Sequence, residues 1–204
     1  MSRHFLSMIV SIPCILPVAA AAQDGPTFDC GKAESSAEKL VCTDPALAEL
    51  DQRLAVRFAA AETVASGLDV GSEQATKTLR AMQRGWISGR DECWKEDDLR
   101  SCVEEAYLRR EAELVAEFLL EEPATVQTFQ CDASSGGEFV TYRFATPLPA
   151  VRLERGDSVY VGALLSTEDP GTFYLRSSGS VSFEDAAATL TDPYGAAEQC
   201  TLSK

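Results

Sequence analysis

Six cysteines constrain the fold of this chain more than any other feature of its sequence. They are Cys30, Cys42, Cys93, Cys102, Cys131 and Cys200. An even number of cysteines in an exported chain indicates disulfides, although six cysteines allow 15 different connectivities. The spacing favours the pairs 30–42, 93–102 and 131–200. A metal site is the alternative, but the sequence contains no C-x-x-C pair.

The first residues indicate that the chain is exported. A short basic start at residues 1–3 precedes an apolar stretch at 5–18 and a run of small residues at 19–22. This order is typical of a signal peptide, and we predict cleavage after Ala22 and a periplasmic or secreted location. The apolar stretch contains two prolines and is too short to span a bilayer, so we expect no retained membrane anchor. The residues before Cys14 make a poor lipobox, and Cys14 is expected to leave with the peptide.

The charge of the chain favours some partners and disfavours others. The formal net charge is −14 at pH 7, and loss of Arg3 makes it one unit more negative. Nucleic acid and anionic lipid are poor partners for such a chain, whereas a cationic protein is a good one. The alternative explanation of the negative net charge is solubility alone. The only histidine, His4, is lost with the signal peptide, which excludes Ser-His-Asp and Cys-His catalysis and the usual zinc sites.

The composition changes abruptly near residues 121–123. Before this point Ala, Leu, Glu and Arg dominate, and after it aromatic and β-branched runs alternate with Gly, Ser, Pro and Asp. We therefore predict an α+β multi-domain protein, with a disulfide-stapled helical domain followed by a small antiparallel β-barrel or sandwich. The predicted parts are the signal peptide (1–22), a helical domain (23–122) and a β domain (123–204).

Four helices are predicted in the first domain. Ser35 and Glu38 form a possible capping box for a short helix that ends near Cys42. Asp44-Pro45 is typical of the start of a second helix, which Gly67 would end. A third helix is predicted over 72–93, and a fourth runs from 97 or 98 to 122. Disulfides 30–42 and 93–102 would pin the short helix and the turn between the two long ones.

The second domain carries short strand patterns separated by turn signals. The predicted strands are 139–144, 151–153, 158–165, 172–175, 181–183 and 188–190, with turns at 134–137, 156–157, 169–171, 177–179 and 192–193. Cys131 and Cys200 would join the first and last strands.

The sequence offers little catalytic chemistry. Adjacent carboxylates at 97–98, 104–105 and 121–122 point in different directions on a helix and are interpreted as solvated faces. No histidine remains to act as a general base for a serine nucleophile, and the sequence contains no phosphate-binding or Ca²⁺-binding loop. The segment W-I-S-G-R-D-E-C is interpreted as structural, with Trp86 as an anchor, an Arg90–Asp91 pair and a disulfide at Cys93. We expect no enzyme activity and no cofactor.

The helical half resembles the LprI-type N-terminal domain. The matching patterns are F-D-C-x-K-A, E-K-x-V-C, D-P-x-L-A-x-L-D, Q-R-x-W-I-x-x-R-D-x-C and C-x-x-x-A-Y, at residues 28–51 and 83–107. The resemblance covers nearly all of residues 28–118. It implies a helical, exported domain, and some members of that family are linked to lysozyme inhibition.

The second half resembles MliC, the membrane-bound inhibitor of c-type lysozyme. The supporting residues are 129–131, 139–142, Gly171, Tyr174, 188–190 and Cys200. The resemblance implies an eight-stranded barrel whose S-G-x-x-Y motif and a later Lys enter the lysozyme cleft. Here Pro170 occupies the Ser position and Glu184 the Lys position.

The resemblance therefore implies a partner-binding site at Pro170, Gly171, Thr172, Tyr174 and Glu184. Because Glu184 would repel the acidic groups of the cleft, the inhibitory contact there is weakened. The leading hypothesis is an exported inhibitor or binder of lysozyme-like muramidases, with lysozyme or another basic protein as partner. The alternatives are an envelope interaction module that binds another basic protein and has lost lysozyme inhibition, and a hydrolase of cell-wall glycan.

Overall fold

The computed structural model describes residues 25–132, 137–166 and 168–203. The predicted signal peptide, its cleavage point and Cys14 lie outside the described residues, as does most of the 134–137 turn. The helical half begins with a 3-10 helix at Cys30–Lys32. The α-helices of the described residues are α1 (Ser36–Thr43), α2 (Pro45–Ser66), α3 (Ser72–Asp91) and α4 (Leu99–Phe118), with a second 3-10 helix at Glu92–Lys95 between α3 and α4. No helix within the described ranges combines the length and the apolar character needed to cross a membrane.

The helix starts follow from local side-chain chemistry. The Ser35 hydroxyl accepts a hydrogen bond from the Glu38 amide, and the Glu38 carboxylate accepts one from the Ser35 amide. This confirms the capping box at the start of α1. The Asp44 carboxylate accepts from the amides of Ala46 and Leu47, so it caps α2 ahead of Pro45 as predicted.

Helix α4 ends earlier than the sequence pattern predicts. The helix stops at Phe118 rather than at residue 122, because Leu119 adopts a left-handed conformation with φ 51°. Such a conformation normally belongs to Gly, so nothing in the local sequence marks this end. The predicted boundary at 122–123 falls in the connection between α4 and the first strand. That the two parts form separate domains stays a prediction.

The second half is a closed antiparallel barrel of eight strands, each paired with its neighbours in chain order. This confirms the predicted fold class of a helical part followed by a small β-barrel. The strands are β1 (Thr125–Cys131), β2 (Glu138–Phe144), β3 (Ala150–Arg155), β4 (Ser158–Ser166), β5 (Asp169–Leu175), β6 (Gly179–Glu184), β7 (Ala187–Thr191) and β8 (Ala197–Leu202). The six predicted strands correspond to β2–β7, and β1 and β8 carry the two cysteines.

The described part of the chain contains three disulfides. Cys30 is bonded to Cys42, Cys93 to Cys102, and Cys131 to Cys200. This is the connectivity that the spacing favours. The first two lie in the helical half, and the third closes the barrel between β1 and β8, where the two cysteines face each other in register.

Helix α4 packs against the outside of the barrel. Its small residues Ala112, Val115 and Ala116 form one buried cluster with Phe144, Ala150 and Ala163 of β2, β3 and β4. Tyr107 and Leu114 belong instead to the core of the helical half. Helix α4 is therefore covered on two sides, and its polar Arg110 and Glu111 are also buried.

Candidate functional site

The residues of the helical sequence motif form a buried hydrogen-bond network. The Tyr107 hydroxyl donates to the Asp51 carboxylate and accepts from the Arg90 guanidinium, each at 2.9 Å. The guanidinium also contacts Asp91 at 2.8 Å and lies 5.4 Å from the centre of the Trp86 ring. This confirms the interpretation of Trp86 as an anchor and of Arg90–Asp91 as an ion pair.

Asp51 also holds the segment that precedes the first disulfide. Its second carboxylate oxygen accepts hydrogen bonds of 2.6 Å from the amide and the hydroxyl of Thr27. One step further along α2, the Gln52 side chain donates to the Gly25 carbonyl at 2.5 Å. Because both oxygens of Asp51 have partners inside the molecule, this carboxylate supports the fold.

A loop between α3 and α4 presents an exposed tryptophan among carboxylates. We call residues 92–98 the Trp94 loop. The Trp94 side chain is 61% exposed, and the Lys95 ammonium lies 5.4 Å from the centre of its ring. The four carboxylates of the loop belong to Glu92, Glu96, Asp97 and Asp98.

The Trp94 loop is fixed at both ends. Cys93 is bonded to Cys102 in the first turns of α4. The Asp98 carboxylate accepts a hydrogen bond of 3.0 Å from the Ser101 amide and caps that helix. Asp98 thus has a structural role beyond the solvated face that the sequence indicated. An aromatic side chain held rigidly in water loses little conformational entropy on binding, which is why such residues often dominate protein interfaces.

Sequence reasoning missed the Trp94 loop. The available signal was a tryptophan between charged residues, in C-W-K-E-D-D, that fits no apolar stripe of a neighbouring helix.

The site implied by the barrel sequence lies mostly on the outer face of β5 and β6. Pro170 and Tyr174 are exposed and Thr172 is half-buried, while Phe173 between them is buried in the barrel. Thr172 pairs with Ser182, and this register carries Pro170 and Glu184 to the same end of the two strands.

Gly171 differs from the other residues of this set. A Cβ atom at this position would lie only 2.9 Å from the carbonyl oxygen of Phe183 on β6. The glycine therefore permits a close approach of two strands and offers no side chain to a partner. The structure thus brings Pro170, Thr172, Tyr174 and Glu184 onto one surface and leaves Gly171 as a backbone spacer beneath it.

The Glu198 carboxylate lies near the barrel disulfide. Its oxygen and the sulfur atoms of Cys131 and Cys200 all lie within 4.8 Å of one another. Both sulfurs are bonded to each other, so neither is a thiolate that could bind a metal. The Glu198 carboxylate instead forms a two-point ion pair with Arg155, at 2.8 Å for each contact.

The helical half of the chain matches a known family model. That model is described as lysozyme inhibitor LprI and matches residues 30–114. The chain is also 31% identical over 186 residues to the lipoprotein LprI of Mycobacterium bovis, an alignment that covers 88% of this chain and 85% of the relative. This chain belongs to the LprI family. The lipoprotein LprI of two Mycobacterium tuberculosis strains matches to the same extent. No solved structure matches the chain.

The residues that match LprI can be assigned to elements of the structure. The family model covers α1 to α3, the disulfides Cys30–Cys42 and Cys93–Cys102, the buried network and the Trp94 loop, and it ends within α4. The alignment with the mycobacterial relatives is longer than this model and extends into the barrel. Membership of a family described as an inhibitor is compatible with a protein that is not an enzyme, and the lipoprotein relatives are consistent with an exported envelope protein.

Proposed function

We propose that this LprI-family protein is an exported inhibitor that binds lysozyme-like muramidases through protein–protein contacts. The observation that carries this proposal is the match of residues 30–114 to the lysozyme inhibitor LprI model. The signal-peptide pattern at 1–22 supports export to the periplasm or beyond, with cleavage after Ala22. Amino-terminal sequencing of protein recovered from the cell envelope tests the proposed export and cleavage.

Charge supports the choice of partner. The chain carries 32 acidic against 18 basic residues, while c-type lysozyme is a basic protein. Opposite charges accelerate encounter and favour correct orientation, and their effect falls as salt screens them. Inhibition is therefore expected to weaken as ionic strength rises.

The Trp94 loop is the surface that we assign to the main contact. It lies inside the segment that the family model covers, and it combines an exposed aromatic side chain with four carboxylates and a rigid disulfide-bonded base. Aromatic residues that become fully desolvated often contribute 2 kcal/mol or more to an interface, roughly a thirtyfold change in affinity.

The outer face of β5 and β6 is proposed as a second contact surface. This rests on the resemblance of the barrel to MliC, which stays a prediction. Tyr174 is 45% exposed there and supplies an aromatic contact. Pro170 lacks the hydroxyl of the Ser in the MliC motif, and Glu184 reverses the charge of its Lys, so this surface is expected to contribute less than in MliC.

A turbidity assay with purified protein and a c-type lysozyme tests the proposal. Wild type should slow clearing of a bacterial suspension, and Trp94→Ala should weaken inhibition about tenfold or more. Tyr194→Ala is the matched control, because Tyr194 is an exposed aromatic residue of the barrel and lies outside both proposed surfaces. Equal losses in both variants would contradict the assignment of the Trp94 loop.

The second candidate is an envelope interaction module that binds another basic protein. The observation that favours it is the presence of Pro170 and Glu184 where the MliC motif has Ser and Lys. If wild type fails to inhibit any lysozyme class but binds a basic protein in a salt-dependent way, this candidate replaces the first. Release of soluble glycan by the protein alone would instead support the hydrolase.

A further inference from the structure

The barrel has an open cavity at one end of its interior. The cavity has a volume of about 310 Å³ and is lined by residues of β3 to β8. Its apolar wall consists of Leu153 and Leu175, which are buried, together with Tyr160 and Leu190, which are half-buried. A volume of this size lies at the lower end of the range for small-molecule sites.

An aromatic cluster packs in the barrel interior. Four phenylalanines pack in contact, with ring centres 5.3 Å apart for Phe129 and Phe139, 5.7 Å for Phe129 and Phe183, and 5.9 Å for Phe173 and Phe183. Leu153 and Leu175 belong to the same apolar cluster. Leu153 and Leu175 therefore join the wall of the cavity to this aromatic cluster.

The rim of the cavity is polar and carries fixed charges. The Arg155 guanidinium and the Glu198 carboxylate form their two-point ion pair there. The Asp192 carboxylate accepts hydrogen bonds of 2.8 Å from the amides of Tyr194 and Ala196, which fixes the turn between β7 and β8. The lining thus carries two carboxylates and one guanidinium. Its net charge is negative and disfavours an anionic head group.

The cavity and the residues Pro170 and Glu184 lie at opposite ends of the barrel. Its rim includes the turns that connect β5 to β6 and β7 to β8. Pro170 and Glu184 lie next to the turns that connect β4 to β5 and β6 to β7, which are at the opposite end of an antiparallel barrel. A ligand in the cavity would therefore leave Pro170 and Glu184 free, whereas Tyr174 pairs with Ser180 of the cavity lining.

We propose that the open end of the barrel binds a neutral amphiphile with a medium-length acyl chain. The chain occupies the space between Leu153, Leu175 and Leu190, and an uncharged head group with hydroxyls hydrogen-bonds at the rim. This ligand site is separate from the proposed inhibition of muramidases and does not depend on it.

Isothermal titration calorimetry with monooctanoyl-, monodecanoyl- and monododecanoylglycerol, each below its aggregation concentration, tests the proposal. Affinity should rise about fourfold for each added methylene until the chain fills the cavity. Binding should also show a negative heat-capacity change, because apolar surface is removed from water. Decanoate should bind about tenfold or more weakly than monodecanoylglycerol, because the rim disfavours a carboxylate.

Two variants of one wall residue connect the binding to the cavity. Leu190→Trp should fill the space and weaken monodecanoylglycerol binding about tenfold or more, whereas Leu190→Ala should move the best chain to a longer one. Val126→Trp is the control, because Val126 is exposed on β1 and does not line the cavity. Circular dichroism checks that each variant folds, and Leu190→Ala keeps the test valid if Leu190→Trp does not.

Affinity that is independent of chain length would overturn the proposal. The same conclusion follows if Leu190→Ala leaves the preferred chain length unchanged, or if decanoate binds as tightly as the glycerol ester.

Discussion

Replacing Tyr107 with Phe removes one oxygen atom from the centre of the helical half. The Tyr107 side chain is 1% exposed, and its ring packs edge-on against Trp86 with centres 5.2 Å apart. The substitution keeps the ring and this packing. It removes the two 2.9 Å hydrogen bonds to Arg90 and Asp51, both of which are themselves buried.

The cost of this change follows from the charge of the two partners. A hydrogen bond to a charged group contributes about 1.5–3 kcal/mol, and a buried group left without a partner loses its share of solvation as well. Arg90 retains Asp91, and Asp51 retains Thr27, so neither is left wholly unpaired. We therefore expect Tyr107→Phe to lower the free energy of unfolding by about 3–5 kcal/mol, a large part of the 5–15 kcal/mol of an ordinary domain.

Urea unfolding followed by circular dichroism measures this quantity. The midpoint should fall while the slope with urea stays constant, since the unfolded chain is nearly the same. Tyr174→Phe is the matched control and should change stability by no more than about 0.5 kcal/mol, because Tyr174 is 45% exposed. A loss of less than about 1 kcal/mol for Tyr107→Phe would refute the argument that the network holds this half together.

The Tyr107 hydroxyl also makes the stability of the protein depend on pH. Burial raises the pKa of Tyr107 well above its usual value of 10.0, and Asp51 raises it further, against the opposing effect of Arg90. The unfolded chain therefore loses this proton first as pH rises. The stability that Tyr107 contributes is complete below pH 10 and declines above it, so the difference between wild type and Tyr107→Phe should shrink at alkaline pH.

Three further predictions concern charge and covalent structure. Burial raises the pKa of Glu117 against the pull of Arg176 and Arg110, so its ionisation opposes folding above the usual value of 4.5. Glu117→Gln should therefore gain stability relative to wild type as pH rises from 4 to 7 in thermal unfolding. Thiol titration of the denatured, unreduced mature chain should find no free thiol, and two or more would contradict the three disulfides. Pro170→Ser with Glu184→Lys should lower the inhibition constant for a c-type lysozyme, most clearly at low salt; an equal or higher constant would show that this surface does not enter the cleft.

The parts of the fold that sequence predicts are those set by local chemistry. The capping box of Ser35 and Glu38 and the Asp44-Pro45 start depend on residues three apart or fewer, and both are present as expected. Most strands of the barrel follow from short alternating runs between turn residues, but β5 begins at Asp169, so the predicted turn at 169–171 is wrong. The end of α4 at Leu119 has no such local signal, because a non-glycine residue takes the left-handed conformation there.

The features that sequence does not predict depend on residues brought together from distant segments. The small residues Ala112, Val115 and Ala116 of α4 look unremarkable in a helix rich in alanine, yet they pack against three strands of the barrel. Arg110 looks like a surface charge but is 2% exposed and donates to the Gln83 side chain at 2.9 Å. The barrel cavity likewise draws its wall from several strands, and no single strand shows it.

The contacts of α4 tie the helical half to the barrel. The Arg152 side chain on β3 donates hydrogen bonds to the carbonyls of Glu117 at 2.8 Å and Ala116 at 3.4 Å, which are among the carbonyls that the end of a helix leaves without partners. A cation at that end also interacts favourably with the helix dipole. Arg176, just after β5, contacts Glu113 one turn earlier in α4.

The disulfide that fixes the Trp94 loop and the carbonyls that the barrel caps thus belong to the same rigid helix. Because the same helix positions the Trp94 loop and the barrel, a partner that contacted the loop would meet the barrel in a fixed orientation.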